Sequence, residues 1–489
     1  MKAFTAAHNL SGARPGNQFD WAAGKAVILG MACVLSLCSI LFWYLVPLSE
    51  APEWLCWFLV FELVVLNFVP AVFEIFFGRF DPFDAKHLFL VYYFLAFSLP
   101  SICAVWLGFD PTPEFADPRA SEGLQARALS AILLGLTGFV MGCYLPIGVV
   151  VGKMIPRISH CSTSIERRVG LIGVLIGSVA FVILMRSAGG VRSFIENLGT
   201  WRTMGVLGGI GYLTFPITCI LPASVLLLFL QALPAPNRHL NRATLETLAL
   251  MVICCCGVMI LGFRSSLVPI ILSFLAAWHY ARRAFRISRL VVLAFGLGIF
   301  LTIFGAIRDA SDSTISVYGA QRALLFRVPG LDTVERVISR SDLGEPRRGF
   351  TPMLLESATI LVPRAIWAEK PETACLPFDD AFFDDFFLAR GDPIDAVRSG
   401  VSTTLIGESY WIAGLPFVFL CPFALGIFSV VAASWRNSGR GNRLHIFLYA
   451  LFFGSFPLFV EVLQNALNAF TMIGLMSLGI VFVVTKFRA

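Results

Sequence analysis

Polar and apolar residues fall into long alternating blocks along this chain. A helix needs about twenty mostly apolar residues to cross the hydrocarbon core of a bilayer. Runs of that kind occur at 26–46, 55–77, 87–107, 128–151, 169–184, 208–230, 247–263, 265–280, 290–307, 411–433, 444–462 and 469–486. The pattern predicts an all-α polytopic integral membrane protein of about twelve transmembrane helices. Residues 1–307 hold helices one to nine, 308–404 form one large extracytoplasmic loop, and 405–489 hold helices ten to twelve. The pair of runs divided by Arg264 reads either as two short spans or as a broken pair lining a cavity. The first run follows a polar tail and has full spanning length, so it reads as a span and not as a cleavable signal.

Charge orients these helices. Lys and Arg gather on the cytoplasmic side of membrane proteins. With the N-terminus inside, twenty of the 37 basic residues fall in cytoplasmic segments, six in short outer loops and eleven in the 308–404 loop. Both termini are therefore expected in the cytoplasm. Composition agrees: the chain is 57% hydrophobic and 14% charged, too few charges to cover a water-facing surface. The net charge of +6 does not point to nucleic acid, because the basic residues cluster at span ends. Almost all of the twelve Cys lie inside apolar runs and none forms a CxxC pair, which argues against disulfide, zinc or redox sites. The outer loop is too long for a connector and keeps Tyr318, Trp367 and many Phe, Leu and Ile, so it reads as folded and functional.

Candidate chemistry sits on the outer face. The six His all fall on the cytoplasmic side, where solvated or interfacial placement is expected, so outer-face chemistry must use carboxylates, Arg, Lys or Tyr. Arg192, Arg202, Arg264, Arg308, Arg364 and Arg398 lie at or near outer span ends, against the inside-positive bias. Guanidinium grips phosphate through two-point hydrogen bonds, as a lipid pyrophosphate would need. Arg264, between two apolar runs, is the sharpest case. The segment Val362–Pro371 carries Arg364 and Lys370 between two prolines. The segment Leu405–Pro416 places Glu408, beside Tyr410 and Trp411, at the expected membrane surface, where it serves either as a general base or as an ion-pair partner of a nearby Arg. Phe378, Phe382, Phe383 and Phe386 share one face of an expected interfacial helix. Asp379, Asp380, Asp384 and Asp385 could take a hard cation, but they scatter around that helix, so no metal is assigned.

The Arg364–Lys370 stretch, followed by GESYW-x-x-G from Gly407 to Gly414, resembles the bacterial repeat-unit polysaccharide polymerases, the O-antigen and exopolysaccharide polymerases of the Wzy type. The layout resembles theirs too, and one Arg-x10-Gly pattern runs from Arg308 to Gly319. The resemblance implies a GT-C-like helical fold in the bacterial inner membrane. It implies a glycosyltransferase that passes a growing glycan from undecaprenyl pyrophosphate to the sugar end of an incoming lipid-linked repeat unit, with no cofactor and no metal. Glu408, Arg364 and Arg264 become the catalytic candidates. Arg192, Arg202, Arg308, Lys370, Arg398 and Tyr410 become substrate-binding candidates. The expected partners are undecaprenyl-pyrophosphate-linked oligosaccharide, membrane lipids, a chain-length regulator and a flippase, with no nucleic acid. The alternatives are a flippase or transporter of lipid-linked oligosaccharide, which would want two similar halves, and an O-antigen ligase, which resembles this layout but uses an outer-face His.

Overall fold

In the computed structural model of the chain, the described residues are 17–47, 49–108, 121–158, 163–190, 213–233, 241–260, 264–285, 288–290, 330–344, 347–359, 403–439 and 442–461, with isolated positions such as Arg192 and Phe382. All regular structure among them is helical. The elements are α1 (Asn17–Leu45), α2 (Glu53–Phe76), α3 (Ala85–Trp106), α4 (Glu122–Tyr144), α5 (Ile147–Met154), α6 (Thr163–Ser187), α7 (Pro216–Ala232), α8 (Arg242–Ile260), α9 (Arg264–Ala281), α10 (Gly330–Asp342), α11 (Phe350–Ala358), α12 (Leu405–Ala413), α13 (Leu415–Ser438) and α14 (Arg443–Ser455). Eight helices among the described residues are long and apolar enough to cross a membrane; α7 and Leu267–Ala281 of α9 are apolar but shorter.

Local sequence sets the helix boundaries. Asp84 accepts from the Lys86 N–H at the start of α3, and Ser121 accepts from the Leu124 N–H at the start of α4; such side-chain caps satisfy donors the helix leaves open. Pro100, which has no N–H to give the ladder, lies between two wide π turns in α3, at 94–98 and 102–106. Two spans differ from the sequence pattern. The fourth begins at Glu122, so Arg127, expected in a loop, lies inside α4, and Leu145 and Pro146 separate α4 from α5. The tenth is broken at Gly414 into α12 and α13, because Gly414 adopts φ +73 and starts a new helix. The runs on either side of residues 261–263 form two helices, α8 and α9. The expected spans at 290–307 and 469–486 lie mostly outside the described residues.

Helix α4 is the axis of the bundle. Its residues are buried almost along its whole length, and α13, α1, α2 and α10 pack around it. Close approach to α13 rests on small residues, as expected where apolar lipid offers no hydrophobic reward for helix association and packing must supply it. Gly135, Gly138 and Gly142 of α4 face α13, and Gly426 of α13 faces back toward Phe139 and Gly142. A Cβ at Gly142 would collide with the backbone at Phe423 and Ile427. Gly142→Leu should therefore overpack this contact and lower stability by about 1–3 kcal/mol or more. The measurement is thermal unfolding in detergent, with Leu175→Ala as a control because Leu175 is exposed on α6. An unchanged melting temperature for Gly142→Leu would refute the spine. Helix α6 turns Leu171, Ile172, Leu175, Ile176, Val179 and Val182 outward, an exposed apolar row that suits lipid.

Charged residues lock one end of the bundle. Glu74, buried at the end of α2, meets Lys86, lies 2.8 Å from His87 Nε2 and accepts from Tyr144 Oη at 3.0 Å. Nearby, the Arg436 guanidinium lies over the rings of Tyr280 and Tyr449, at 3.9 and 4.4 Å, and 3.6 Å from Asp81. His445 stacks on Trp435 and accepts from the Ile158 N–H. The solvated or interfacial placement expected for the His is thus overturned for His87, His279 and His445, whose side chains are buried among these partners. They tie α2, α3, α4, α9, α13 and α14 together at that end.

Candidate functional site

The opposite end of the bundle carries a second, differently built group of charges. Helix α10 is polar in composition yet buried: Asp332, Thr333, Glu335 and Arg336 are all less than a tenth exposed. It packs against α4, the first π turn of α3 and the residues 99–101 that follow it, and α12. Gly330 at its start lies against the carbonyl of Ala96, where a Cβ would not fit. Arg336 donates to the Phe382 carbonyl at 3.1 Å, and Phe382 is buried edge-on against Trp411 at 5.6 Å. Phe382 therefore faces protein and not lipid; the rest of its expected interfacial helix, Asp379 to Asp385 included, lies outside the described residues.

The short helix α12 aims the site. Thr403 and Thr404 precede it, both fully buried, and Thr404 holds φ +55, a region non-Gly residues rarely enter. Strain of this kind persists where surrounding structure enforces it. The Thr404 hydroxyl accepts from the Gly407 N–H at 3.1 Å and caps the helix. One turn later Glu408 points inward with no exposure. Its Oε2 accepts from the Thr403 hydroxyl at 3.0 Å, and its Oε1 lies 3.5 Å from Arg348 Nη1. Arg348 Nη2 donates to Glu356 Oε2 of α11 at 3.1 Å. The Arg348 backbone N–H donates to the Trp411 carbonyl at 3.2 Å, and its guanidinium lies 5.4 Å from the centre of the Trp411 ring. Glu408 and Trp411 are three residues apart and share one face of α12, so both reach Arg348.

Tyr410 occupies another face. Its hydroxyl donates to Asp342 at 3.3 Å, and Asp342 in turn lies 3.5 Å from Arg127. Burial, then the Asp342 charge, push the Tyr410 phenol well above its ordinary pKa, so it stays a proton-bearing donor. Arg127 also donates to the Val46 carbonyl at 3.1 Å and lies 5.7 Å from the Trp43 ring centre. Arg347, exposed beside buried Arg348, lies 5.7 Å from the centre of the Tyr410 ring and against Gly414.

Of the residues singled out in the sequence, Glu408 and Tyr410 come together here. Glu408 is fully enclosed by protein, on a short helix that ends at the break at Gly414. Arg264 opens α9, at the end of that helix opposite His279. Arg192 is exposed. Arg202, Arg308, Arg364, Lys370 and Arg398 lie outside the described residues. Sequence reasoning missed Arg348, Glu356, Arg347 and Asp342. The available signal was the adjacent arginine pair held between Pro346 and Gly349. Among the described residues no three His, Cys, Asp or Glu side chains gather as a metal site.

Helices of spanning length around a buried cluster of Arg and Glu define a multi-pass membrane protein with a site at one end. Residues 85–339, more than half the chain, match the family described as "Putative O-antigen polymerase", and the chain belongs to that family. It is thus a membrane protein of polysaccharide biosynthesis and, in general terms, a repeat-unit polymerase. The match spans α3 through most of α10 and includes Arg127 and Arg336; Arg348, Glu356 and α12 follow it. No curated protein and no solved structure matches the chain.

Proposed function

We propose that this chain joins undecaprenyl-pyrophosphate-linked oligosaccharide repeat units at the extracytoplasmic face of the inner membrane, with Glu408 as the general base. The growing glycan passes from its lipid pyrophosphate to a hydroxyl of the incoming unit, and undecaprenyl pyrophosphate leaves. The observation that carries this reading is the enclosed carboxylate of Glu408, held by Thr403 and Arg348 beneath α10 and α11. A carboxylate withdrawn from water can take a hydroxyl proton, and fixed guanidinium groups can stabilise the leaving pyrophosphate. Tyr410 orients this surface, and Arg264, Arg364, Arg192, Arg202, Arg308, Arg398 and Lys370 are the further phosphate-gripping candidates. Family membership supports the polymerase class, and the sequence reading that puts all six His on the cytoplasmic side favours it over ligase chemistry.

Purified protein given lipid-linked repeat units should produce a ladder of longer glycans. EDTA should leave the ladder unchanged; its loss with EDTA and return with Mg²⁺ would overturn the metal-independent mechanism. Orientation is tested separately. Leu343 is 65% exposed at the Glu408 end, and Arg283 is exposed beyond α9 at the other. With the native cysteines removed, an impermeant thiol reagent should label Leu343→Cys in intact cells and not Arg283→Cys. The reverse pattern would place the site on the cytoplasmic face.

A further inference from the structure

Arg347 and Arg348 are neighbours in sequence but occupy different surroundings. Arg347 is exposed and spreads over Tyr410. The Arg348 side chain is 6% exposed and divides its two terminal nitrogens between two buried carboxylates. The two contacts are unequal. Glu356 lies at 3.1 Å, within normal hydrogen-bond range, whereas Glu408 lies at 3.5 Å, at its outer limit. Glu356 and the Trp411 carbonyl therefore anchor Arg348, and the Glu408 contact is the one that can be given up. While Arg348 holds Glu408, that carboxylate oxygen faces the guanidinium and is not open to a substrate hydroxyl.

We propose that Arg348 is an exchange clamp: the pyrophosphate of the donor takes its Nη1 side from Glu408, Arg347 engages the same pyrophosphate from the exposed side, and Glu408, released from the guanidinium, becomes the base. This rests on the polymerase reading above and adds to it a condition for activation. A pyrophosphate is a better partner for a guanidinium fork than a carboxylate held at 3.5 Å, because charge-assisted, two-point contacts are the strong ones. Glu356 keeps Arg348 in place during the exchange. In the step that follows, the acceptor hydroxyl oxygen bonds to the anomeric carbon of the donor sugar. The bond from that carbon to the pyrophosphate oxygen breaks, and its electron pair leaves with the pyrophosphate. The hydroxyl proton passes to Glu408. The added negative charge on the leaving group falls on Arg347 and Arg348. Without donor, Glu408 stays clamped.

Glu408 and pyrophosphate then compete for one guanidinium, and that competition is measurable. Inorganic pyrophosphate is titrated into the purified, detergent-solubilised full chain, with binding followed by calorimetry and by Trp fluorescence. Glu408→Gln removes the competing charge and keeps the shape. It should bind pyrophosphate about tenfold tighter than wild type while failing to polymerise. Arg348→Lys keeps the charge and loses the fork, and should bind about tenfold weaker. Binding to Glu408→Gln that is equal to or weaker than wild type would overturn the clamp. If that variant is also inactive, the polymerase site stands without the clamp. If it makes normal ladders, the assignment of Glu408 as base falls and the clamp with it.

Discussion

Glu408→Gln should leave the protein abundant in the membrane while glycan synthesis stops at single repeat units on the lipid carrier. The substitution is isosteric, and the Thr403 hydroxyl, which now donates to Glu408 Oε2 at 3.0 Å, keeps an oxygen to bond to. The packing of α12 on α10, where Gly407 meets Thr333 and Val337, is untouched. What is lost is the capacity to accept a proton, and general base catalysis is worth about 10²–10⁴ in rate. The measurement is the distribution of glycan lengths together with protein abundance. A normal ladder from Glu408→Gln would reduce Glu408 to a structural ion-pair partner. Glu356→Gln, acting only through the anchoring of Arg348, should cost less and should mainly weaken donor binding.

Arg348→Ala should have a different and larger effect, on the fold of the site itself. Glu356 and Glu408 are 1% and 0% exposed, and both face this one guanidinium. Removing one partner of a buried ion pair costs about 3–5 kcal/mol, because charge is left away from water with one countercharge fewer. The variant should therefore unfold locally around α11 and α12 and lose abundance. Adding Glu356→Gln and Glu408→Gln removes the two negative charges that Arg348 faced. The triple variant should regain thermal stability in detergent and remain unable to polymerise. Abundance that does not recover would mean that the Arg348 side chain acts chiefly through its place over the Trp411 ring. Arg348→Lys lies between these extremes, with charge retained and the two-point fork lost.

The sequence was most readable where lipid writes the rules. Continuous apolar runs mark α1, α2, α3 and α6 because a spanning helix needs all its backbone hydrogen bonds internally and an apolar coat outside. The same rule hid the break at Gly414. The run 411–433 is apolar throughout, and only the positive φ of Gly414 shows that the chain stops and restarts. Glu408 was legible as a lone carboxylate beside aromatics, and Tyr410 with it. Arg348 and Glu356 were not, because they lie far from Glu408 in sequence and owe their burial to tertiary packing. The buried His87, His279 and His445 illustrate the same limit. Sequence position put them at one end of the bundle, but their ring stacking and ion-pair partners come from helices distant in the chain.

Helix α10 has a consequence for how such enzymes can be recombined. It falls in the stretch that the sequence reads as a long outer loop, yet its buried face is continuous with α3, α4 and α12, and its first glycine rests on a carbonyl of α3. Residues 330–342 are therefore no detachable cassette. Grafting 308–404 alone into a relative would bring Asp332, Glu335 and Arg336 against a foreign wall, stranding charge where the host expects its own counterpart. A workable chimera must take the loop with the surfaces of α3 and α4 that receive α10. Any change of sugar preference carried by the loop would then evolve under the restraint of fitting this shared seam.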